Sequence, residues 1–324
     1  MQPNYKHYRY LFTIIFNVVL FYFLYLWLQK NIQFHALLHD MKRMSIFSIV
    51  VTMSLYGVLL VLYSVRFSLL LNIPYKQSMC IIGISNGINH ILPFRLGDIL
   101  RMYFARQFYD IEISRTLAAT FMEKYYDLVI LLLFGVILLF SRQYGLQGDA
   151  MYFFSTLLSC SVLSVVFYRY LIVKEGMIKS FVHRFKRIKP LLNAIEEITT
   201  SGNKLRVSGL TLLIWAMLLF IYYNFFKMNL GPPSFSMIGA LFILFATTLM
   251  FAVPYTFGAT GIFEASIVYY LIRFHHASPV AALALALVLH FATALPQVIV
   301  MLYFLIVNRI RWLRPIKALK TGLT

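Results

Sequence analysis

The sequence predicts an all-α polytopic membrane protein: about six transmembrane helices plus two re-entrant helical hairpins, arranged as an inverted repeat. Three observations carry this. The chain is 61% hydrophobic and only 12% charged, where a soluble domain carries roughly a quarter charged residues. Two long apolar regions are interrupted alike, by Pro93-Phe94-Arg95-Leu96-Gly97 and Pro254-Tyr255-Thr256-Phe257-Gly258. Lysine and arginine are distributed very unevenly between alternate connecting segments.

A spanning helix needs ~20 mostly apolar residues. Six regions meet this, at approximately 10–28, 45–65, 116–140, 151–171, 208–228 and 279–307. The first follows Lys6 and Arg9 and resembles a secretory signal, but it is longer than a signal core, and Gln29-Lys30-Asn31 offers no small-residue cleavage site. It is read as a retained first span. Cys80 and Cys160 lie in apolar stretches, without a companion at metal or redox spacing.

The apolar regions 77–110 and 236–273 are each too long for one helix and are cut by their Pro-x-x-x-Gly breaks. A helix over 77–92 would extend about 24 Å, short of the ~30 Å hydrocarbon core. Each region is therefore read as a hairpin that enters and leaves on one side. Charge supports this. With the N-terminus inside, the segments 1–9, 66–76, 101–115, 172–207 and 308–324 hold 20 Lys or Arg, against 6 in 29–44, 141–150, 227–235 and 273–278. A single fully crossing hairpin would instead put the five basic residues of 308–324 outside.

In this topology the first hairpin enters from the cytoplasm and the second from outside. Pro93 to Pro254 and Gly97 to Gly258 are both 161 positions apart, and the flanking spans shift by about the same amount. That pattern is the signature of an inverted repeat, which places a site at the repeat interface near the midplane. The whole chain, 1–324, is read as one integral membrane domain with halves 1–150 and 151–324.

Several function classes fall away. The net charge of +18 lacks any nucleic-acid-binding pattern, and it suits a surface facing anionic lipid head groups. The stretch 176–198 reads as a basic amphipathic helix, placing Ile178, Phe181, Val182, Phe185 and Ile188 on one face. It fits either an anionic leaflet or a partner such as an envelope-biosynthesis enzyme. No Walker, Gly-x-Ser-x-Gly or His-Glu-x-x-His motif occurs, and no cofactor or metal is expected.

The charges within apolar sequence define the candidate site. Asp98, Glu123, Asp127 and Glu264 fall in or beside membrane segments, where an ionised group costs at least ~2.5–3.5 kcal/mol without a partner or a wet cavity. Arg95, Arg101 and Lys124 are the nearby cations, so three face four. Glu123 and Asp127 share a helical face; their alternative reading is a pair snorkelling at the cytoplasmic end. Arg95, beside a helix start, suits a phosphate through paired hydrogen bonds and the helix dipole. Glu264 either pairs with an arginine of the first hairpin, takes a cationic moiety, or locks the hairpins together. His90 and His290 are relay candidates or simply bonded neutral histidines; His275 and His276 read as loop residues.

The run Asn89 to Arg101, then Glu123-Lys124-Tyr125-Tyr126-Asp127, then Pro254 to Gly258 with Gly261-Ile262-Phe263-Glu264, resembles the flippase-like transmembrane region of lysylphosphatidylglycerol synthases. The resemblance covers nearly the whole chain. It departs from the family at Gly97-Asp98, where Gly-Glu is usual, and at Glu123-Lys124, where Glu-Arg is usual; both changes alter hydrogen-bonding reach. The resemblance implies movement of an anionic phospholipid or a polyprenyl-phosphate-linked lipid between leaflets of a bacterial or archaeal cell membrane. The aminoacyl-transfer domain is not expected here, so lysyl-lipid synthesis is not implied.

On this reading Arg95, Arg101, Asn89, Gly97, Gly258, Thr260 and Gly261 are the candidate head-group ligands. Asp98, Glu123, Lys124, Asp127 and Glu264 are the candidates for charge balance between states. The competing readings are a membrane-embedded glycosyl or polar-group transferase, with Asp98 or Glu123 as base, and a non-transporting partner of an envelope enzyme.

Overall fold

A computed structural model describes residues 34–141, 189–230, 235–251 and 260–308, together with Tyr22. The predicted spans 10–28 and 151–171, the apolar stripe of 178–188 and the second break, with Pro254 and Gly258, lie outside the described residues. Every described element is helical: α1 Phe34–Lys42, α2 Ile46–Leu71, α3 Tyr75–Ile91, a 3₁₀ turn at Pro93–Arg95, α4 Leu96–Tyr109, α5 Ile113–Phe140, α6 Lys189–Thr200, α7 Lys204–Asn229, α8 Met237–Phe251, α9 Ile262–His275 and α10 Pro279–Val307.

Among the described residues, three helices, α2, α7 and α10, are long and apolar enough to cross a bilayer. The 28-residue α5 is as long but carries Glu123, Lys124 and Asp127 in and just beyond its first half. Large apolar side chains also cover the outside, Ile46 at 77% and Phe140 at 84% exposure among them. In water such a surface would aggregate; against acyl chains it costs nothing. α1 is a helix within 29–44, which the sequence reading left as an extramembrane connection, and it packs on α10.

α3 and α4 form an antiparallel hairpin. Asn89 donates to Asp98 at the tip, and Arg101 donates to Ser85 one turn further down. The two helices touch backbone to backbone at Gly97, where an added Cβ would overlap the Ser85 carbonyl oxygen. The tip itself carries two consecutive left-handed non-glycine residues, Phe94 (φ 61°) and Arg95 (φ 51°). Each costs of order 1–3 kcal/mol and persists because the surroundings fix it. α8 and α9 form a second antiparallel pair, with Phe235 stacked near His275 and Phe242 against Tyr270 and Phe274.

The two hairpins open toward opposite ends of the bundle. α2 and α7 run antiparallel, with Ser45 and Ser48 joined to Asn229 at one end and Leu69 joined to Asn203 at the other. The open end of α3/α4 lies with Leu71, whose carbonyl accepts from Arg115 at the start of α5. The open end of α8/α9 lies at the other end, where Phe235 packs on Phe226 of α7.

α10 joins the hairpins. Gly83 and Gly87 on α3 form a small-xxx-small pair. A Cβ on Gly83 would meet Val300 at 2.8 Å, and one on Gly87 would meet the Gln297 carbonyl at 2.7 Å. Near the middle of α10, His90 of the first hairpin approaches Gln297 at 2.7 Å, and Glu264 of the second approaches His290 at 2.6 Å.

Candidate functional site

The charged residues are not scattered. They form one alternating chain: Asp127, Arg66, Glu123, Arg101, Asp98, Arg95. Arg66 grips Asp127 with both terminal nitrogens, at 2.7 and 3.2 Å, and lies 3.7 Å from Glu123. Arg101 reaches Glu123 at 2.6 Å and Asp98 at 3.6 Å, and it also donates to Ser85 and Asn86. Arg95 closes the series on Asp98 at 3.1 Å. Trp215 and Thr211 of α7 complete the shells of Asp127 and Arg66.

Arg66, Arg101 and Glu123 are almost wholly buried, at 2%, 3% and 3% exposure. Buried charges survive only when paired and hydrogen-bonded, and here each is held from several helices. Glu123 and Asp127 are therefore not snorkelling at a membrane edge; they sit inside the bundle.

The sequence reading missed Arg66, which it placed in the cytoplasmic segment 66–76. The structure corrects this: α2 continues to Leu71, and Arg66 points into the bundle. Phe67, Leu69, Leu70 and Leu71 continue the apolar character beyond the arginine, a signal that the span had not ended at residue 65. With Arg66 included, four cations face Asp98, Glu123 and Asp127.

Of the three readings of Glu264, the arginine pair is not what the structure holds. Among the described residues Glu264 pairs with no arginine. One oxygen accepts from the Gly261 backbone N–H at 2.6 Å, capping α9 where Gly261 turns at φ 91°; the other meets His290. The Glu264→Ala protein should lose about 1–2 kcal/mol through the lost cap alone. Thermal unfolding in detergent measures it, and an unchanged midpoint would show that the cap carries no weight.

The network borders a cavity of about 370 Å³ to which α2, α3, α4, α5, α7, α8, α9 and α10 all contribute. Arg95, Arg101, Asn89, Glu123, Lys124 and Asp127 line it, as does Arg66. Lys124 makes no ion pair within 4 Å among the described residues. Its apolar lining is Leu128, Leu131, Leu218, Leu244, Leu249 and Phe263, of which Leu128 and Leu131 follow Lys124 and Asp127 one turn later on α5. Asp98 stands behind the arginines, and Gly97 faces α3 rather than the cavity. Thr260 lies in an exposed turn, and Gly261 serves the α9 cap.

Among the described residues, three buried polar atoms of cavity side chains have no hydrogen-bond partner: Arg66 Nε, Asn89 Oδ1 and His90 Nδ1. Native structures rarely leave such atoms unmatched. No group of three or more metal-ligating side chains occurs among the described residues.

Fold and site together define a multi-pass α-helical membrane protein with a charged cavity built between two hairpin units. The chain belongs to the family described as the lysylphosphatidylglycerol synthase TM region, whose model matches residues 14–300. Comparison with curated proteins gave no match, and comparison with solved structures gave none. The family ties the protein to membrane lipid, as the sequence motifs implied.

Proposed function

We propose that this protein moves an anionic phospholipid, or a polyprenyl-phosphate-linked lipid, between the leaflets of a bacterial or archaeal cell membrane. The observation that carries this reading is the cavity: cationic and apolar side chains line one space at the junction of two oppositely opening hairpins. A lipid phosphate needs the first and the start of its chain needs the second. Lys124, together with Arg95 from its partly exposed pairing with Asp98, would meet the phosphate, while Arg66 and Arg101, held by the buried carboxylates, set the positive potential around it.

The same architecture supports a re-entrant, inverted-repeat topology. α2, hairpin α3/α4 and α5 correspond in order to α7, hairpin α8/α9 and α10, and the equivalent helices α2 and α7 are antiparallel. A two-fold axis in the membrane plane relates such units, and rocking one against the other would expose the midplane cavity alternately. With the basic ends of α3, α5 and α7 facing the cytoplasm, both termini would be cytoplasmic.

The transferase alternative needs a carboxylate with an available lone pair and a matched pKa. Asp98, Glu123 and Asp127 are each held by at least one arginine, which favours carriage over chemistry.

Reconstituted protein should equilibrate labelled anionic phospholipid across proteoliposomes, measured by leaflet-resolved quenching, and Arg95→Ala should slow it at least ~10-fold, the equivalent of one charge-assisted contact. Wild-type vesicles no faster than protein-free ones would end the transport reading, and an unchanged Arg95→Ala rate would remove Arg95 as a ligand.

A further inference from the structure

Glu264 and His290 stand apart from the charged network. Asp98, Glu123 and Asp127 are each held by an arginine, whose charge does not change with pH. Glu264 instead meets a histidine at 2.6 Å, the side chain whose charge changes near neutrality. Glu264 is 4% exposed, and neither member of the pair borders the cavity.

His90 stands between the pair and the cavity. It lines the cavity, and its ring centre lies 6.3 Å from that of His290, a separation that a single water can bridge. Its hydrogen is placed by its neighbours. The Gln297 amide nitrogen donates to the Thr293 carbonyl, which orients the amide, and the same nitrogen lies 2.7 Å from His90 Nε2. Nε2 therefore accepts, and the neutral ring carries its hydrogen on Nδ1. Among the described residues Nδ1 is buried without a partner, so this N–H is left to orient a water on the way to His290.

α10 is divided at the same place. Pro296, inside the helix, has no N–H to give to the Ala292 carbonyl, so one rung is missing between His290 and Gln297. Before the break, Ala282, Leu285, Ala286 and Leu289 share a core with Phe263 and Tyr270 of the second hairpin. Beyond it, Met301 and Leu305 pack with Cys80, Ile84 and Ile88 of the first. Glu264 and His290 thus belong to one hairpin unit and His90 and Gln297 to the other, and the two rings meet across the missing rung.

Other titratable groups around the pair are few. α8 carries none, α2 supplies Tyr56 through its bond to Thr293, and α7 supplies Tyr222, bonded to Tyr56. Arg95, in the turn after α3, acts on His90 through its charge. α1, also packed on α10, carries His35, His39, Asp40 and Lys42, with His39 3.6 Å from Asp40.

We infer that Glu264 and His290 form a proton-binding site, reached from the cavity past His90, and that its occupancy couples lipid movement to a proton travelling in the same direction. This rests on the transport reading above and supplies its driving force. A hydronium in the cavity gives up one proton and becomes water, and an N–H bond forms at His290 Nε2. Nδ1 keeps its contact with Glu264, which stays a carboxylate, so the pair passes from one net negative charge to neutral. The new positive charge faces His90 and, beyond it, Arg95, and the two hairpin units repel across Pro296. An ion that favours one arrangement in this way shifts the equilibrium between the two. A singly charged lipid phosphate accompanied by one proton crosses without net charge.

Two measurements test this. In phosphatidylcholine nanodiscs, infrared difference spectra of the full chain with ring-labelled histidine, taken between about pH 5 and about pH 8, should contain an imidazole-to-imidazolium signal that His290→Asn removes. Asparagine keeps an N–H for Glu264 but takes up no proton. Glu264→Gln, which keeps the cap on Gly261, should displace the signal and serves if His290→Asn fails to fold. In phosphatidylcholine proteoliposomes with a trace of fluorescent phosphatidylglycerol and the voltage clamped at zero, a pH gradient of about one unit should enrich the labelled lipid in the leaflet on the alkaline side by up to about tenfold at steady state. Protein-free vesicles set the baseline, and both variants should return to it. No titrating signal from His290, an even distribution in wild-type vesicles that do exchange the lipid, or a full gradient response in either variant overturns the inference. Wild-type protein that exchanges no lipid at all ends the transport reading and the coupling with it, while the infrared titration still decides whether Glu264 and His290 hold a proton.

Discussion

An Arg66→Leu protein is expected to lose about 3–5 kcal/mol of stability, the usual cost of removing one partner from a buried ion pair. The reason is what it leaves behind. Among the described residues, Asp127 would keep the Trp215 N–H and the field of Lys124, and Glu123 would keep Arg101. Chemical or thermal unfolding in detergent checks this. Adding Asp127→Leu should restore a large part of the loss, because a matched apolar pair removes the desolvation penalty as well as the attraction. A single variant as stable as wild type would mean that Arg66 is not a structural cation of the network. Loss of lipid movement in the stabilised double variant would then separate the cavity's potential from its stability.

The second large effect is expected at Gly97. An added methyl at this position has nowhere to go: it meets the backbone oxygen of Ser85, and the Asn89 side chain lies only 2.6–2.8 Å away. The overlap is with backbone, so relief requires α4 to move off α3. Overpacking of this kind costs about 1–3 kcal/mol and more where backbone must shift. The displacement would also pull Arg101 away from Ser85, Asn86 and Glu123. Gly97→Ala should therefore lower both folded yield and unfolding midpoint, whereas Gly57→Ala, with open space around its Cβ, should leave both in place. Equal behaviour of the two variants would contradict the close hairpin packing.

Much of this geometry is legible in the sequence, and the exceptions have physical causes. The span 279–307 coincides with α10 because Ser278 caps it, Pro279 starts it, and no charge interrupts it. The break at Pro93 is legible because a proline and a following left-handed turn end a helix wherever they occur. Apolar neighbours around Asp98, Glu123 and Asp127 announce burial, but not which cation each one finds.

Arg66 escaped because a basic residue after about twenty apolar ones reads as the membrane edge, and its partner Asp127 is 61 residues away. Glu264 pairs with His290 rather than with an arginine because local helix capping and α10, not the opposite hairpin, surround it. α1 escaped because its nine residues carry too little apolar character to signal a helix. In each case tertiary packing decided what spacing left open.

The central claim is that the charged cavity is reached in turn from the two leaflets. Lys124→Cys, in protein whose Cys80 and Cys160 are replaced by alanine, places a thiol in the cavity beside the network. Labelling by a membrane-impermeant thiol reagent, added to one side and then the other of oriented proteoliposomes, tests the claim directly. The account predicts modification from both sides, slowed from each by the anionic lipid. Modification from one side only, with or without lipid, would contradict it.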